Sequence, residues 1–261
     1  MKISKFEVKD FLDEKLDKYN RLNFIESDPI SIPHQFSKKE DIEIAAFLSA
    51  TIAWGQRITI IKNANKLMNL MDNTPHDFII HANPRELARF DNFVHRTFNS
   101  EDVKFFIKSL QNIYKKQGGL ENAFINGLSR VENNKCEKAI SNFRTIFFSI
   151  AHPTRTTKHV SNPSENSSSK RLCMFLRWMV RNDKRKVDFG LWGNDNFNAS
   201  DLMCPLDVHS GNVARKLGLL NRTQNDWKAV IELTTKLKQF DPADPVKYDF
   251  ALFGLGVFEK F

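Results

Sequence analysis

Asp207 is the residue of this chain best placed to do chemistry. It stands in Cys204-Pro205-Leu206-Asp207-Val208-His209, directly ahead of an amphipathic stretch from Val208 to Leu217 that Gly218 closes. An aspartate there suits the N-cap of that helix, where it accepts from the unpaired N–H groups of the first turn. His209 is either a packed, hydrogen-bonded histidine or a member of the same site. A second group is Trp54-Gly55-Gln56-Arg57. An aromatic plane, an amide and a guanidinium at one helix junction suit stacking on and reading an extruded base; they equally suit a core tryptophan beside a surface arginine.

The third candidate is cationic. From Arg155 to Lys186 there are nine basic residues and two acidic ones, a net +7 out of +8 for the whole chain. Charge concentrated in this way points to a polyanionic partner. Inside the stretch, Ser167-Ser168-Ser169 leads into a helix whose apolar stripe is Leu172, Phe175, Leu176 and Met179, with Lys170, Arg177 and Arg181 recurring on another side. Ser168, Ser169 and Arg171 at the helix start, with Arg177 and Arg181 further along, form an expected phosphate-binding face. The plainer alternative is a capped helix with a solvated basic side. Metal chemistry has no comparable pattern. The seven histidines include no H-E-x-x-H, and Cys136, Cys173 and Cys204 lie more than 30 residues apart without a C-x-x-C pair, so neither a metal cluster nor another cofactor is expected.

Helices must position these groups. With 10 glycines and 9 prolines in 261 residues, and apolar residues three and four apart in most segments, the expected fold class is all-α. Val8, Phe11, Leu12, Leu16, Tyr19 and Leu22 trace an opening helix, which Asp28-Pro29-Ile30-Ser31-Ile32-Pro33 breaks. A second helix is expected after Ser37 as N-cap, with Glu40 three residues on, and a third through Ile58, Ile61, Ala64, Leu67, Met68 and Met71. Further helices are expected near 101–117, 120–127, 135–150, 169–181, 208–217, 225–238 and 245–253. Thr154 to Ser169, polar and rich in Ser, Asn and Thr, reads as an exposed loop, and the 23 phenylalanines as mostly core. Length permits a large core without disulfides or structural metals. The charged N-terminus is unlike a signal peptide, and the apolar windows Ile44 to Trp54 and Ala251 to Phe258 fall short of the roughly 18 residues of a membrane span. A cytoplasmic protein with no membrane partner is expected.

Pro205-Leu206-Asp207-Val208-His209 followed by Asn212-Val213-Ala214-Arg215-Lys216-Leu217-Gly218-Leu219 resembles the helix-hairpin-helix DNA glycosylase superfamily, in which such a stretch carries a catalytic aspartate. Glu43-Ile44-Ala45-Ala46-Phe47-Leu48-Ser49-Ala50, with Lys66-Leu67 and Thr74-Pro75, is similar to the helix pair opening that superfamily's helical barrel, and Asp244-Pro245 to Gly256 is similar to the closing helix of its 8-oxoguanine glycosylase-like members. A bacterial branch shares Ile32-Pro33-His34, Ala53 to Arg57, Phe175 to Arg181 and Tyr248 to Gly254, so the resemblance spans nearly the whole chain. Departures exist. Pro163 to Lys170 stands where the family hairpin reads Leu-Pro-Gly-Val-Gly-x-Lys, and it contains no glycine to supply positive φ. Lys170 and Asp207 are 37 residues apart, which implies an insertion around Lys184 to Asn198.

The resemblance implies a two-lobed helical bundle with a modified helix-hairpin-helix: a barrel lobe over 39–183, and a second lobe of 1–38 and 184–261 carrying the aspartate. It implies a DNA-repair glycosylase that excises a damaged base from duplex DNA, with Asp207 stabilising the deoxyribose cation and Lys170 as the amine nucleophile of a Schiff-base lyase step. If water replaces Lys170, a glycosylase without lyase activity results. Trp54, Gln56, Arg57 and His209 would line the base pocket. A non-catalytic DNA- or RNA-binding protein on the same scaffold is the alternative.

Overall fold

Apolar residues three and four apart, rarely interrupted by glycine or proline, produce helix nearly throughout. The computed structural model describes residues 5–261. Its α-helices are α1 (Lys5–Tyr19), α2 (Leu22–Ile25), α3 (Lys39–Thr51), α4 (Arg57–Leu70), α5 (Pro75–His81), α6 (Pro84–Ala88), α7 (Ser100–Lys116), α8 (Leu120–Ile125), α9 (Lys135–Phe147), α10 (Lys170–Val180), α11 (Val208–Lys216), α12 (Trp227–Lys238) and α13 (Asp249–Val257). The fold class is all-α, as expected. The strands among the described residues are β1 (Val94–His95) and β2 (Phe98–Asn99), an antiparallel pair with Val94 opposite Asn99 and His95 opposite Phe98. None of the described helices is long and apolar enough to cross a membrane.

The chain divides into two units. One contains 5–24, 130–136 and 163–261; the other contains 25–129 and 137–162. This boundary differs from the expected 39–183 lobe, because residues 163–183 group with Asp207 instead of with the segment before them. The reason is hydrogen bonding and charge. Trp227 N–H donates to the Asn166 carbonyl at 3.3 Å, Asn166 Nδ2 donates to Asp226 at 3.2 Å, and the cations of α10 find their carboxylates beyond residue 182.

The unit of 25–129 and 137–162 is built on aromatic packing. Phe47 of α3 meets Phe106 of α7 at 5.7 Å and Phe143 and Phe147 of α9 at 5.2 and 5.6 Å, while Phe124 of α8 stacks on Phe143 at 4.1 Å. Such pairs add specific geometry to a large apolar payload. Helix α7 begins with a reciprocal capping box between Asn99 and Asp102. Two expectations need correction here. Ser37 does not cap α3; Lys38 holds the N-cap position without a side-chain hydrogen bond. Thr154 to Ser169 is not an exposed loop: it forms 3₁₀ turns at 154–159 and 163–165, and Thr156, His159, Val160, Pro163 and Ser169 are buried.

The unit carrying α10 to α13 packs by close helix approach. A Cβ on Gly254 of α13 would sit 2.2 Å from the Tyr19 ring of α1, and one on Gly256 would sit 3.1 Å from the His209 carbonyl oxygen of α11. The expected insertion around 184–198 is a strap and not a free loop. It runs back along α10, with Phe189 N–H donating to the Trp178 carbonyl and Trp192 N–H to the Met179 carbonyl, both at 2.8 Å. Val187, Asp188 and Trp192 are buried in it.

Gly254→Ala is expected to destabilise the protein by about 1–3 kcal/mol through overpacking against Tyr19. Urea unfolding of Gly254→Ala, Tyr19→Ala and the double variant checks this. Truncating Tyr19 should remove most of the penalty of the alanine, whereas additive losses would show that the glycine does not act through that ring.

Candidate active site

Lys170 and Asp207 come together. The Lys170 Nζ lies 3.5 Å from Asp207 Oδ2, and each side chain retains about a quarter of its exposure, 25% and 26%. Both positions follow from local rules. Lys170 is the first residue of α10 and Asp207 is the N-cap of α11, with the extended backbone (φ −126°, ψ −168°) that a cap requires.

The two oxygens of Asp207 have separate duties. Oδ1 accepts from the His209 and Ser210 N–H groups at 2.8 and 3.0 Å, while Oδ2 faces Lys170. Asp207 N–H donates in turn to Ser210 Oγ at 3.0 Å, completing a capping box. Asn225 adds a brace that the sequence did not reveal: its Nδ2 donates to the Asp207 carbonyl at 3.0 Å, and its Oδ1 accepts from Arg215 at 2.6 Å. Burial would raise the pKa of Asp207, but Lys170, the two cap hydrogen bonds and His209 overcome it and hold the carboxyl below its ordinary range. At neutral pH the group is therefore a fixed negative charge and a weak base. It is suited to stabilising a cation more than to abstracting a proton.

The rest of the basic face is not where the sequence suggested. Arg177 and Arg181 are buried, at 4% and 2% exposure, and cannot serve as phosphate contacts. Arg177 donates to Asp188 at 3.3 Å and to Asp249. Arg181 binds Asp188 through Nη1 at 2.9 Å, Asp183 through Nη1 at 2.6 Å and Asp244 through Nε at 2.9 Å. Helical periodicity placed both arginines off the apolar stripe, but the strap and the segment before α13 cover that side with carboxylates. Ser169 is also buried, with its N–H donating to Ser167 Oγ at 3.2 Å. Ser168 and Arg171 are half-buried, and burial pushes the Arg171 guanidinium down to about 10, so it stays charged at neutral pH.

The missing hairpin glycines did not prevent left-handed backbone. Asn166 (φ 62°) and Ser169 (φ 47°) adopt it themselves. Asn is among the residues that tolerate this region, and Ser169 does so at a buried position where its carbonyl accepts the first hydrogen bonds of α10, from Leu172 and Cys173 N–H at 3.0 Å.

In the other unit, Trp54 is half-buried, Gln56 is exposed at the N-cap of α4, and Arg57 is half-buried as its first residue. The Trp54 ring lies near parallel to His159 (5.9 Å between centroids, 27°) and edge-on to His95 (5.0 Å, 89°). His159 Nε2 is 3.2 Å from Asp102, a fully buried carboxylate that also accepts from Thr156 at 2.7 Å and Arg155 at 2.6 Å. In the sequence, the one sign of this support is an aspartate at the N3 position of a capping box. His209 belongs to the unit of Asp207 and is exposed. Among the described residues there is no group of three or more His, Cys, Asp or Glu side chains that could hold a metal ion.

Arg181→Ala is expected to cost about 3–5 kcal/mol, because it leaves Asp188, Asp183 and Asp244 without their shared cation in a poorly hydrated setting. Lys184→Ala, on the exposed surface three residues away, should stay within about 0.5 kcal/mol of wild type. Chemical denaturation of the two variants separates a structural arginine from a surface one.

No curated protein and no solved structure gives a significant match to the chain. Its residues 28–258 match a family profile described as "Protein of unknown function (DUF2400)". A match over so much of the length, spanning both the Trp54 cluster and the Lys170–Asp207 pair, makes this chain a member of the DUF2400 family.

Proposed function

We propose that this protein is a DNA glycosylase that removes a damaged base from duplex DNA, with Lys170 as amine nucleophile and Asp207 as electrostatic stabiliser. The observation that supports this reading best is the Lys170–Asp207 pair itself. A lysine and an N-cap aspartate far apart in sequence meet at 3.5 Å while remaining partly open to solvent. A merely structural ion pair needs no such access, and a nucleophile does. The resemblance to helix-hairpin-helix glycosylases assigns the same two residues to those roles.

In the proposed reaction the target nucleotide rotates out of the duplex, at a cost of a few kcal/mol that damage or mispairing reduces. The bond from the sugar C1′ to the base breaks, and the base leaves with the electron pair and takes up a proton. Positive charge then develops at C1′, and the fixed Asp207 carboxylate stabilises it. The Lys170 amine in its unprotonated form adds to C1′; the C1′–O4′ bond then breaks with its electron pair on O4′, which takes up one of the two amine protons while the other is released, and a Schiff base results. If water adds instead, the product is an abasic site and no lyase step follows.

A panel of duplexes, each with one lesion, incubated with borohydride during turnover, tests this directly. Excision with a reduced adduct mapped to Lys170 is the expected result, and Asp207→Asn should abolish excision while keeping the helix cap, since Asn caps about as well as Asp. Excision with an adduct on another lysine would reject Lys170, and excision without any adduct would assign the nucleophile to water. Binding without excision at any lesion would leave the non-catalytic reading.

Duplex binding should also depend on salt less steeply than nine basic residues imply. In the 155–186 stretch, Arg155, Arg177, Arg181 and Arg185 are engaged by carboxylates, whereas Lys158, Lys184 and Lys186 are exposed. Three phosphate contacts contribute a log–log slope of about −3, against about −8 for nine. Replacing the three lysines with alanine should flatten the measured slope by about three; an unchanged slope would move the DNA-binding surface elsewhere.

A further inference from the structure

One short turn is tied to both sides of the Lys170–Asp207 pair. It runs from Arg222 to Trp227, between α11 and the first residue of α12, and two adjacent residues within it, Asn225 and Asp226, have different partners. Asn225 holds the aspartate. Its Nδ2 donates to the Asp207 carbonyl at 3.0 Å, and its Oδ1 accepts from Arg215 Nη2 at 2.6 Å. Gly211 of α11 leaves room for this approach: a Cβ there would lie 2.7 Å from Asn225 Oδ1, closer than atoms can pack. Arg215 also donates to the Arg222 carbonyl through Nε and to the Thr223 carbonyl through Nη2, both at 2.8 Å, so its guanidinium fastens the turn to α11.

Asp226 holds the lysine side. Asn166 Nδ2 donates to Asp226 Oδ2 at 3.2 Å, Trp227 N–H donates to the Asn166 carbonyl at 3.3 Å, and Ser167 pairs with Asp226 in an isolated antiparallel bridge. Ser167 Oγ accepts in turn from Ser169 N–H at 3.2 Å, and the Ser169 carbonyl receives the first hydrogen bonds of α10. Lys170 is the next residue. Asp226 is itself fixed, as the N-cap of α12 accepting from Ala229 N–H at 3.0 Å and as the acceptor of Arg222 Nε at 2.7 Å.

We propose that the Arg222–Trp227 turn is a mount shared by both members of the pair, with Asn225 and Asp226 as positioning residues that set the distance between Lys170 Nζ and Asp207 Oδ2. Consecutive α-carbons are about 3.8 Å apart across a trans peptide, so anchoring the two sides on neighbouring residues leaves little slack between them. Two separate anchoring loops would let the lysine and the aspartate drift independently. The inference rests on the glycosylase reading only for its consequence in catalysis, since the spacing is a property of the free protein. There, a displacement of about 1 Å costs up to about 100-fold in rate.

Carbodiimide crosslinking of the full chain, read by peptide mapping, measures the spacing directly. The reagent activates the Asp207 carboxyl, the Lys170 amine attacks it and a urea leaves, and the resulting amide contains no spacer, so only groups in contact are joined. Wild type is expected to give the Lys170–Asp207 crosslink. One glycine inserted between Asn225 and Asp226 adds up to about 3.5 Å of chain and is expected to abolish it. The thermal midpoint should stay within about 4 °C of wild type, because lengthening an exposed turn by one residue costs little. Asn225→Asp keeps an acceptor for Arg215 but turns an oxygen toward the Asp207 carbonyl, and should lower the crosslink yield. Asp226→Asn, which keeps the cap and the acceptor for Asn166, should retain it.

A merely structural turn would lose stability without losing the crosslink from folded molecules. Should the insertion variant fail to fold, Asn225→Asp decides by the same measurement. Wild-type crosslinking in the folded variant, or no Lys170–Asp207 crosslink in wild type, overturns the proposal. Single-turnover excision on the lesion panel is run beside it, where the insertion should slow excision about tenfold to 100-fold. Loss of the crosslink in the variant of a protein whose wild type excises nothing would keep the mount and reject the glycosylase reading. Excision by wild type with crosslinking unchanged in the variant would do the reverse.

Discussion

Burial of two arginines, one on α10 and one at its C-cap, is the constraint from which the organisation of the unit carrying α10 to α13 follows. A guanidinium taken out of water costs several kcal/mol unless carboxylates meet it with good geometry. Arg177 and Arg181 meet this condition through Asp188, which contacts both, and through Asp249, Asp183 and Asp244. Those carboxylates come from the strap after α10 and from the start of α13, so satisfying the arginines brings these segments onto one helix. The same docking brings α13 against α11 and thereby places the N-cap of α11 beside Lys170. The Lys170–Asp207 pair thus sits on a frame set by the buried network.

The Asp207 cap divides the two oxygens of one carboxylate between two partners. A cap needs one oxygen directed at the helix N–H groups, and Oδ1 supplies it. The other oxygen is left with a direction set by the helix end and by the Asn225 brace on its own carbonyl. A charge held this way is preorganised, fixed in place by the fold instead of by solvent. The hydrogen bonds that fix the carboxylate also keep it ionised, and in doing so they make it a poor base.

The unit of 25–129 and 137–162 works on a different principle. Its interior is aliphatic and rich in phenylalanine, and among its buried polar groups is Asp102, which accepts from Asn99, Arg155 and Thr156 and lies 3.2 Å from His159. The capping carboxylate of α7 is used again to orient the imidazole that backs Trp54. In both units, then, a carboxylate engaged at a helix N-terminus also orients the group beside a candidate functional side chain.

The sequence by itself determined the helices and the leading candidate. Three-and-four spacing located α4, α7, α10, α11 and α12 to within a few residues, since an amphipathic helix must show its buried face in its periodicity. Asp207 was visible as a cap because capping is a local interaction within three residues. Tertiary structure alone decided which basic residues remain on the surface. Arg177 and Arg181 carry the same spacing as solvated cations, and only the arrival of Asp188, Asp244 and Asp249 from later in the chain buries them. The same holds for the 3.5 Å meeting of Lys170 with Asp207 and for the unit boundary. Periodicity reports which side of a helix is apolar; it carries no record of which distant charges will be folded against the other side.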